Sequence, residues 1–388
     1  MSSKDSKPAE TTAVGAPVEE ATPPAPAASL PLEAATTAAE APAVSAPLEA
    51  ATTTTAPIPP AIPEGDAGGV NDEPESEFGD DFESTASLTD SIRDFRNLHG
   101  RTYGNSHSTE YWAPNDNQQA GGLDITHHYL LLYHDNKLFQ APISDDVQKV
   151  LDVGTGTGIW AIDFADQYPS AHVIGTDISP IQPPWVPPNC EFVVDDAQLD
   201  WTWPENHFDY IHLRDLYGGI SDWGALYKRA YAHLKPGGWF EDQEFDIRCH
   251  SDVVGHDPDH IYNRWNDIFA ESGERLGKTL KIGRDSRMRD YMAEAGFVNC
   301  TERKFRLPIN GWCRDKKLKE IGMFVHMFVD QSLEGFALFL LTKIMGWKYE
   351  ECQVLVAQMR AAVKDTRLQP YYEVTLVYGQ KPESSSTA

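Results

Sequence analysis

The chain has 388 residues with 59 acidic against 32 basic side chains, a formal net charge of −27. That excess disfavours non-specific binding to nucleic acid or to an anionic membrane face. No segment approaches the roughly 18–20 apolar residues needed to span a bilayer, no apolar signal core follows Met1, and the lack of Arg before Arg93 speaks against a mitochondrial transit peptide.

Residues 1–86 are rich in Ala, Thr, Pro, Ser and Glu, and Lys4 and Lys7 are their only basic side chains. So little apolar surface does not offset the entropy of ordering, and the stretch is expected to be a disordered acidic tail carrying more than half of the net charge. Within it Pro31–Thr37 recurs as Pro47–Thr53, a duplicated heptapeptide too short to bury a face. Residues 87–388 read as a single α/β domain. Ser87–Leu98 predicts a short helix stopped by Gly100, and Asn117–His134 a second helix.

An alternation follows. Val147–Val153 is a strand, Ile159–Tyr168 a helix and Ala171–Thr176 a second strand. After a Pro-rich connection, Glu191–Val194 and Phe208–Leu213 are strands three and four. Asp222–Leu234 is a helix ended by Lys235-Pro236-Gly237-Gly238, and Trp239–Ile247 is strand five. Helices are expected at 260–276, 286–295, 315–345 and 349–364, with strands at 297–306 and 371–379. Strand–helix alternation with short connections implies a Rossmann-like, doubly wound, mostly parallel sheet of seven strands, one of them antiparallel, behind an N-terminal helical extension. The five cysteines, Cys190, Cys249, Cys300, Cys313 and Cys352, are scattered without a CxxC pair, so reduced thiols are expected rather than a disulfide frame or zinc site. A soluble intracellular protein is the expectation.

The chemistry concentrates at Val150-Leu151-Asp152-Val153-Gly154-Thr155-Gly156-Thr157-Gly158. Three alternate glycines at a strand-to-helix turn let a ligand lie against the main chain. A dinucleotide fingerprint would place its third glycine at position 159, where the chain has Ile159. The spacing GxGxG after Asp152 instead suits S-adenosylmethionine, whose amino-acid moiety needs no pyrophosphate cradle. Asp177 ends the second strand, where a carboxylate can accept both ribose hydroxyls. Asp196-Ala197 follows the third, where an acid can meet the adenine amino group, with Asp195 beside it as a rival. The expected cofactor-binding set is therefore Asp152, Gly154, Thr155, Gly156, Gly158, Asp177, Asp196 and Ala197.

Residues 150–240 resemble a class I S-adenosylmethionine-dependent methyltransferase. A longer pattern is similar to the LaeA-like methyltransferases of filamentous fungi. It is carried by Leu123–His128, Lys137–Ile143, Gly175–Pro183 and Phe208–Arg214. The resemblance implies a methyltransferase tied to regulation or biosynthesis of secondary metabolites, acting in the nucleus or cytoplasm on a small-molecule or protein acceptor. Alternatively, it implies a regulatory subunit of a velvet-type complex that binds cofactor but works through protein partners.

Methyl transfer from a sulfonium relies largely on positioning and desolvation, and needs a base only if the acceptor must lose a proton. His212, Arg214 and Asp215 after strand four are the catalytic candidates, with Glu241, Glu244, His127 and His128 nearby. Asp242, Glu244 and Asp246 share one face of strand five and read as solvated or salt-bridged, with no metal expected. Trp185, Trp201, Trp203 and Trp223 surround the cofactor loops as stacking or core residues. Phe336–Leu341, near Met323 and Met327, is either a lid over the acceptor pocket or a buried helix.

Overall fold

The computed structural model describes residues 95–106, 108–284 and 286–383. The expected acidic tail and the first eight residues of the predicted Ser87–Leu98 helix lie outside them. The remainder of that helix is corrected: Arg96–Leu98 (β1) is a strand paired antiparallel with Arg101–Tyr103 (β2). His99 and Gly100 between them have φ of 49° and 84°. Two consecutive positive φ values match the twist of a tight hairpin, so Gly100 turns the chain rather than stopping a helix.

The hairpin is fastened to the next helix, Asn117–Tyr133 (α1). Asp116 caps it by accepting from the Gln119 N–H at 3.0 Å, and Arg101 grips the same carboxylate with two donors at 2.5 and 2.9 Å. Burial opposes ionisation of Asp116, but the Arg101 and main-chain hydrogen bonds together with the Arg101 charge outweigh it and hold the carboxyl below its ordinary value. The pair therefore stabilises the fold above about pH 4 and is lost as pH falls through the depressed pKa. Asp116→Ala removes cap and partner together, and a loss of about 1–3 kcal/mol is expected in chemical denaturation.

Then come Lys149–Val153 (β3), Ile159–Gln167 (α2), His172–Asp177 (β4), Cys190–Val194 (β5), Phe208–Arg214 (β6), Trp223–His233 (α3) and Leu234–His250 (β7). Ile261–Leu276 (α4), Arg287–Ala295 (α5), Val298–Pro308 (β8), Lys316–Phe339 (α6), Tyr349–Lys364 (α7) and Tyr371–Gln380 (β9) complete the described chain. The seven-stranded sheet has the order β5-β4-β3-β6-β7-β9-β8. Its first five members are mutually parallel, and β9 runs antiparallel to both neighbours. Strand β7 is longer than expected. It begins directly after α3, and the Lys235–Gly238 stretch becomes an irregularity between the Phe208–Leu234 and Tyr210–Trp239 pairs.

Alternation along each strand feeds two cores. Leu151, Val153, Ile211 and Leu213 pack with Trp223, Leu226 and Tyr227 on one face. Val150, Val173 and Tyr210 pack with Trp160 and Phe164 on the other. Burial on both faces explains why the strands read as continuous apolar runs. Trp201, Trp203 and Trp223 belong to the first core, whereas Trp185 is 90 % exposed.

Two expectations are overturned here. The stretch Lys316–Ile344, which is α6 continued by a π-helical turn at Leu340–Ile344, does reach the length and hydropathy of a membrane-crossing helix. However, 67 % of its apolar window is buried inside the protein, so its apolar length serves the core. Asp242 and Glu244 are not solvated or salt-bridged but fully buried. Asp246, also buried, is paired with Arg248 at 2.5 Å and His250 at 3.0 Å, as expected for a salt-bridged carboxylate.

Candidate functional site

The strand order reverses at β3, whose neighbours β4 and β6 lead away in opposite directions. In parallel sheets such a switch point opens a crevice at the carboxyl ends of the strands. A cleft of ≈ 1110 Å³, partly open to solvent, lies there, and the ends of β3, β4, β5 and β6 all line it.

The turn from β3 into α2 forms its floor. Gly154, Gly156 and Gly158 have φ of 68°, 59° and 82°, values that L side chains rarely adopt. Their surroundings differ. Gly154, Thr155, Gly156 and Thr157 line the cleft. A Cβ at Gly156 would stand 3.1 Å from Leu123 Cδ1, and one at Gly154 would collide with Leu216. Gly158 faces elsewhere: its missing Cβ makes room for the Phe192 ring of β5. It is a packing glycine, and the expected loop contact there is not part of the cleft wall.

Asp152 precedes the loop and holds it. Its Oδ2 accepts from Thr155 Oγ1 at 2.5 Å and its Oδ1 from His212 Nδ1 at 2.7 Å. The His212 ring, 3 % exposed, lies flat on Trp160 with centroids 3.8 Å apart. Burial lowers its pKa against the pull of Asp152, so the neutral ring donates its Nδ1 proton. His212 is thus a support under the loop.

Asp177 ends β4 with both oxygens oriented by main-chain donors, Gly156 N–H at 2.9 Å and Ser179 N–H at 2.8 Å. Each oxygen keeps a further lone pair, which suits two hydroxyl donors. Burial, against the backbone hydrogen bonds, raises its pKa to about 6. Beyond β5, Asp195 and Asp196 both line the cleft. Asp196 is buried and already accepts from Ser108 Oγ at 2.7 Å and Gln198 N–H at 3.0 Å, while Asp195 is half-buried.

Among the catalytic candidates, Arg214 lines the cleft and donates to His127 Nδ1 at 3.2 Å, and His127 Nε2 donates to Asp163 at 2.9 Å. His128 is exposed and packs edge-on against Phe324 instead. Asp215 takes left-handed backbone angles, with φ 61°, and its Oδ1 is buried without a partner among the described residues. Neither Glu241 nor Glu244 lines the cleft. Glu241 accepts from the main chain of Gln140 and Ala141, and Glu244 from Leu216 N–H at 2.8 Å and Tyr217 N–H at 2.9 Å.

One wall had no motif to announce it. Thr109, Tyr111, Ala113, Pro114, Asn115 and Gln119, just before and at the start of α1, close the cleft opposite the glycine loop. Trp112 in that segment donates to the Tyr217 carbonyl at 3.2 Å and fixes it to the loop after β6. The aromatic pair Tyr111-Trp112 in a polar stretch was the available signal.

The chain is similar in sequence to known methyltransferases. A methyltransferase-domain family model matches residues 125–302. "Methyltransferase pytC" of Aspergillus terreus is 35 % identical over 300 residues, covering 77 % of this chain and 92 % of that one. "Secondary metabolism regulator LAE1" of Cochliobolus heterostrophus is 32 % identical, with 73 % and 94 % covered. "Protein-methionine methyltransferase laeA" of Emericella nidulans is 31 % identical, with 74 % and 77 % covered. Among solved structures, a Haemonchus contortus phosphoethanolamine N-methyltransferase 2 complex aligns with a TM-score of 0.40 at 17 % identity, over 78 % of this chain and 74 % of that one. A glycine loop at the switch point of a seven-stranded sheet, in a chain with these relatives, has one family reading: the chain belongs to the S-adenosylmethionine-dependent methyltransferases, within the LaeA-like group.

Proposed function

We propose that the switch-point cleft binds S-adenosylmethionine on Gly154, Thr155 and Gly156, with Asp177 taking the ribose hydroxyls and the Asp195–Ala197 segment the adenine. The protein then methylates an acceptor that belongs to secondary metabolism. The observation that carries this reading is the pairing of Gly156 with Asp177. The same N–H···carboxylate bond that shapes the loop aims the acid into the cleft. When bound, the cofactor supplies an activated methyl group. The chain's own residues would hold it and exclude water, with bare backbone at Gly154 and Gly156 where it would lie.

The pKa of Asp177 makes the assignment testable. With its carboxyl raised to about 6, the ionised acceptor is present above that pH and is lost below it. S-adenosylhomocysteine affinity, measured calorimetrically, should be flat above pH 7 and fall as pH drops below 6, by up to about tenfold per unit. Asp177→Asn should cost about 1.5–3 kcal/mol of binding at pH 8 and flatten the profile. A mutant with wild-type affinity and the same pH profile contradicts the ribose assignment.

A second reading follows from the regulator names of several relatives. In it the protein acts in the nucleus or cytoplasm chiefly through protein partners, velvet-type proteins among them. A partner that co-purifies equally with wild type and with Gly156→Asp favours this reading. Loss of the biological output in that mutant favours catalysis.

A further inference from the structure

Behind the cofactor cleft lies a second cavity of ≈ 560 Å³, walled by Trp112, Tyr129, Phe245, Phe328, Phe336 and Tyr372. The rings come from the segment before α1, from α1 itself, from β7, α6 and β9, so the pocket forms only when the whole domain has folded. Helix α6 closes it with Phe328 and Phe336 while Met323 and Met327 of the same helix face outward. The two cavities adjoin, because Tyr111, Ala113, Gln119, Leu123 and Asp215 line both.

Two of those shared residues carry unspent hydrogen-bonding capacity. Asp215 Oδ1 and Gln119 Oε1 are each buried with no partner among the described residues. Buried acceptors left unpaired are costly, and a non-glycine residue held at φ 61° adds strain. Two other polar side chains on the inner wall are already engaged. Thr126 Oγ1 accepts from Tyr129 at 3.2 Å, and Asp246 is held by Arg248 and His250. Orphan acceptors therefore sit at the junction, and aromatic faces fill the interior.

The geometry points to this inner cavity as the methyl-acceptor site, built for a planar, largely apolar molecule whose hydroxyl is directed at Asp215. This rests on the outer cleft being the S-adenosylmethionine site. The ligand hydroxyl satisfies Asp215, a second donor on the same edge would satisfy Gln119, and the ligand's rings pack among the aromatic side chains. Asp215 is the group positioned to take the proton. As the acceptor oxygen bonds the methyl carbon, the carbon–sulfur pair stays on sulfur and the hydroxyl proton passes to the carboxylate. Burial raises the Asp215 carboxyl to about 7 against the opposing pull of Arg214, which suits a base near neutral pH. The other titratable groups that sense it are Tyr111, Tyr129 and Tyr217 and, on β7, Asp242 and Glu244, with Asp246 on the same wall.

The test uses 2-naphthol as acceptor probe and S-adenosylhomocysteine as cofactor probe, both titrated into the full chain by calorimetry from pH 5.5 to 8.5. Wild type is expected to bind 2-naphthol more tightly as pH rises through 7, and Asp215→Asn to bind it at least fivefold more weakly with a flat profile. Thr126→Leu and Phe336→Trp fill the cavity from two different helices, α1 and α6, so a folding failure in one leaves the other. Each should weaken 2-naphthol at least tenfold while S-adenosylhomocysteine stays within twofold of wild type. S-adenosylhomocysteine binding without 2-naphthol binding, or 2-naphthol binding indifferent to the filled pocket and to Asp215, overturns the acceptor site and leaves the cofactor reading intact. Failure of S-adenosylhomocysteine itself to bind strikes the cofactor reading instead.

Discussion

Gly156→Asp is expected to abolish S-adenosylhomocysteine binding, by more than about a hundredfold or roughly 2.7 kcal/mol, while the protein unfolds within a few degrees of wild type. Gly156 lines the cleft, and its φ of 59° is one that Asp tolerates better than most residues. Among the described residues, the only close neighbour of an added Cβ is the end of the Leu123 side chain at 3.1 Å, which can give way. The cost thus falls on ligand space, and on placing a new negative charge beside Asp177. Gly154→Asp should also block binding but with some loss of stability, because its Cβ displaces Leu216. Gly158→Ala is the contrasting control. Its φ of 82° and the Phe192 ring make the substitution a packing fault, so thermal stability should drop by about 1–3 kcal/mol. Binding lost in Gly158→Ala at full stability, or retained in Gly156→Asp, reverses the roles assigned to the two glycines.

Asp152→Ala is expected to be the most destabilising change in the site, by about 3–5 kcal/mol in denaturant unfolding. The carboxylate is 3 % exposed and serves two partners, the buried His212 and the half-buried Thr155. Its removal strands an imidazole N–H beneath Trp160 and frees the first turn of the glycine loop. Asp152→Asn keeps an acceptor for His212 and should cost clearly less. If Ala and Asn are equally mild, the loop is held by its glycines and main chain, and the carboxylate contributes little.

Much of this arrangement was readable before any coordinates because the demands involved are local. A glycine needed for positive φ is needed whatever surrounds it, so the 154–158 loop and the strand before it stand out in sequence. Asp177 was legible because a parallel strand of known length must end there. What could not be read depends on neighbours distant in the chain. Gly158 obeys the same motif as Gly154, but Phe192 arrives from another strand to claim its space. The alternation of Asp242, Glu244 and Asp246 announces a shared face, yet not that the 216–217 loop covers it and donates two hydrogen bonds to Glu244. The Thr109–Gln119 wall is steered into place by a hairpin whose turn residues, His99-Gly100, mimic a helix stop. The inner aromatic pocket combines residues from both ends of the domain, which no window of sequence contains.

Strand β9 occupies the slot between β7 and β8, and β8 has no other partner in the sheet. During synthesis, then, the ribosome releases β7 and β8 long before β9, so the free edge of β7 and the whole of β8 wait with unmet amide groups until Tyr371–Gln380 emerges. A nascent chain stalled after Leu368 would hold the complete glycine loop but only an open sheet, sticky toward other strands. Chaperone demand and aggregation in cells should therefore track the arrival of that last strand rather than the making of the cofactor loop.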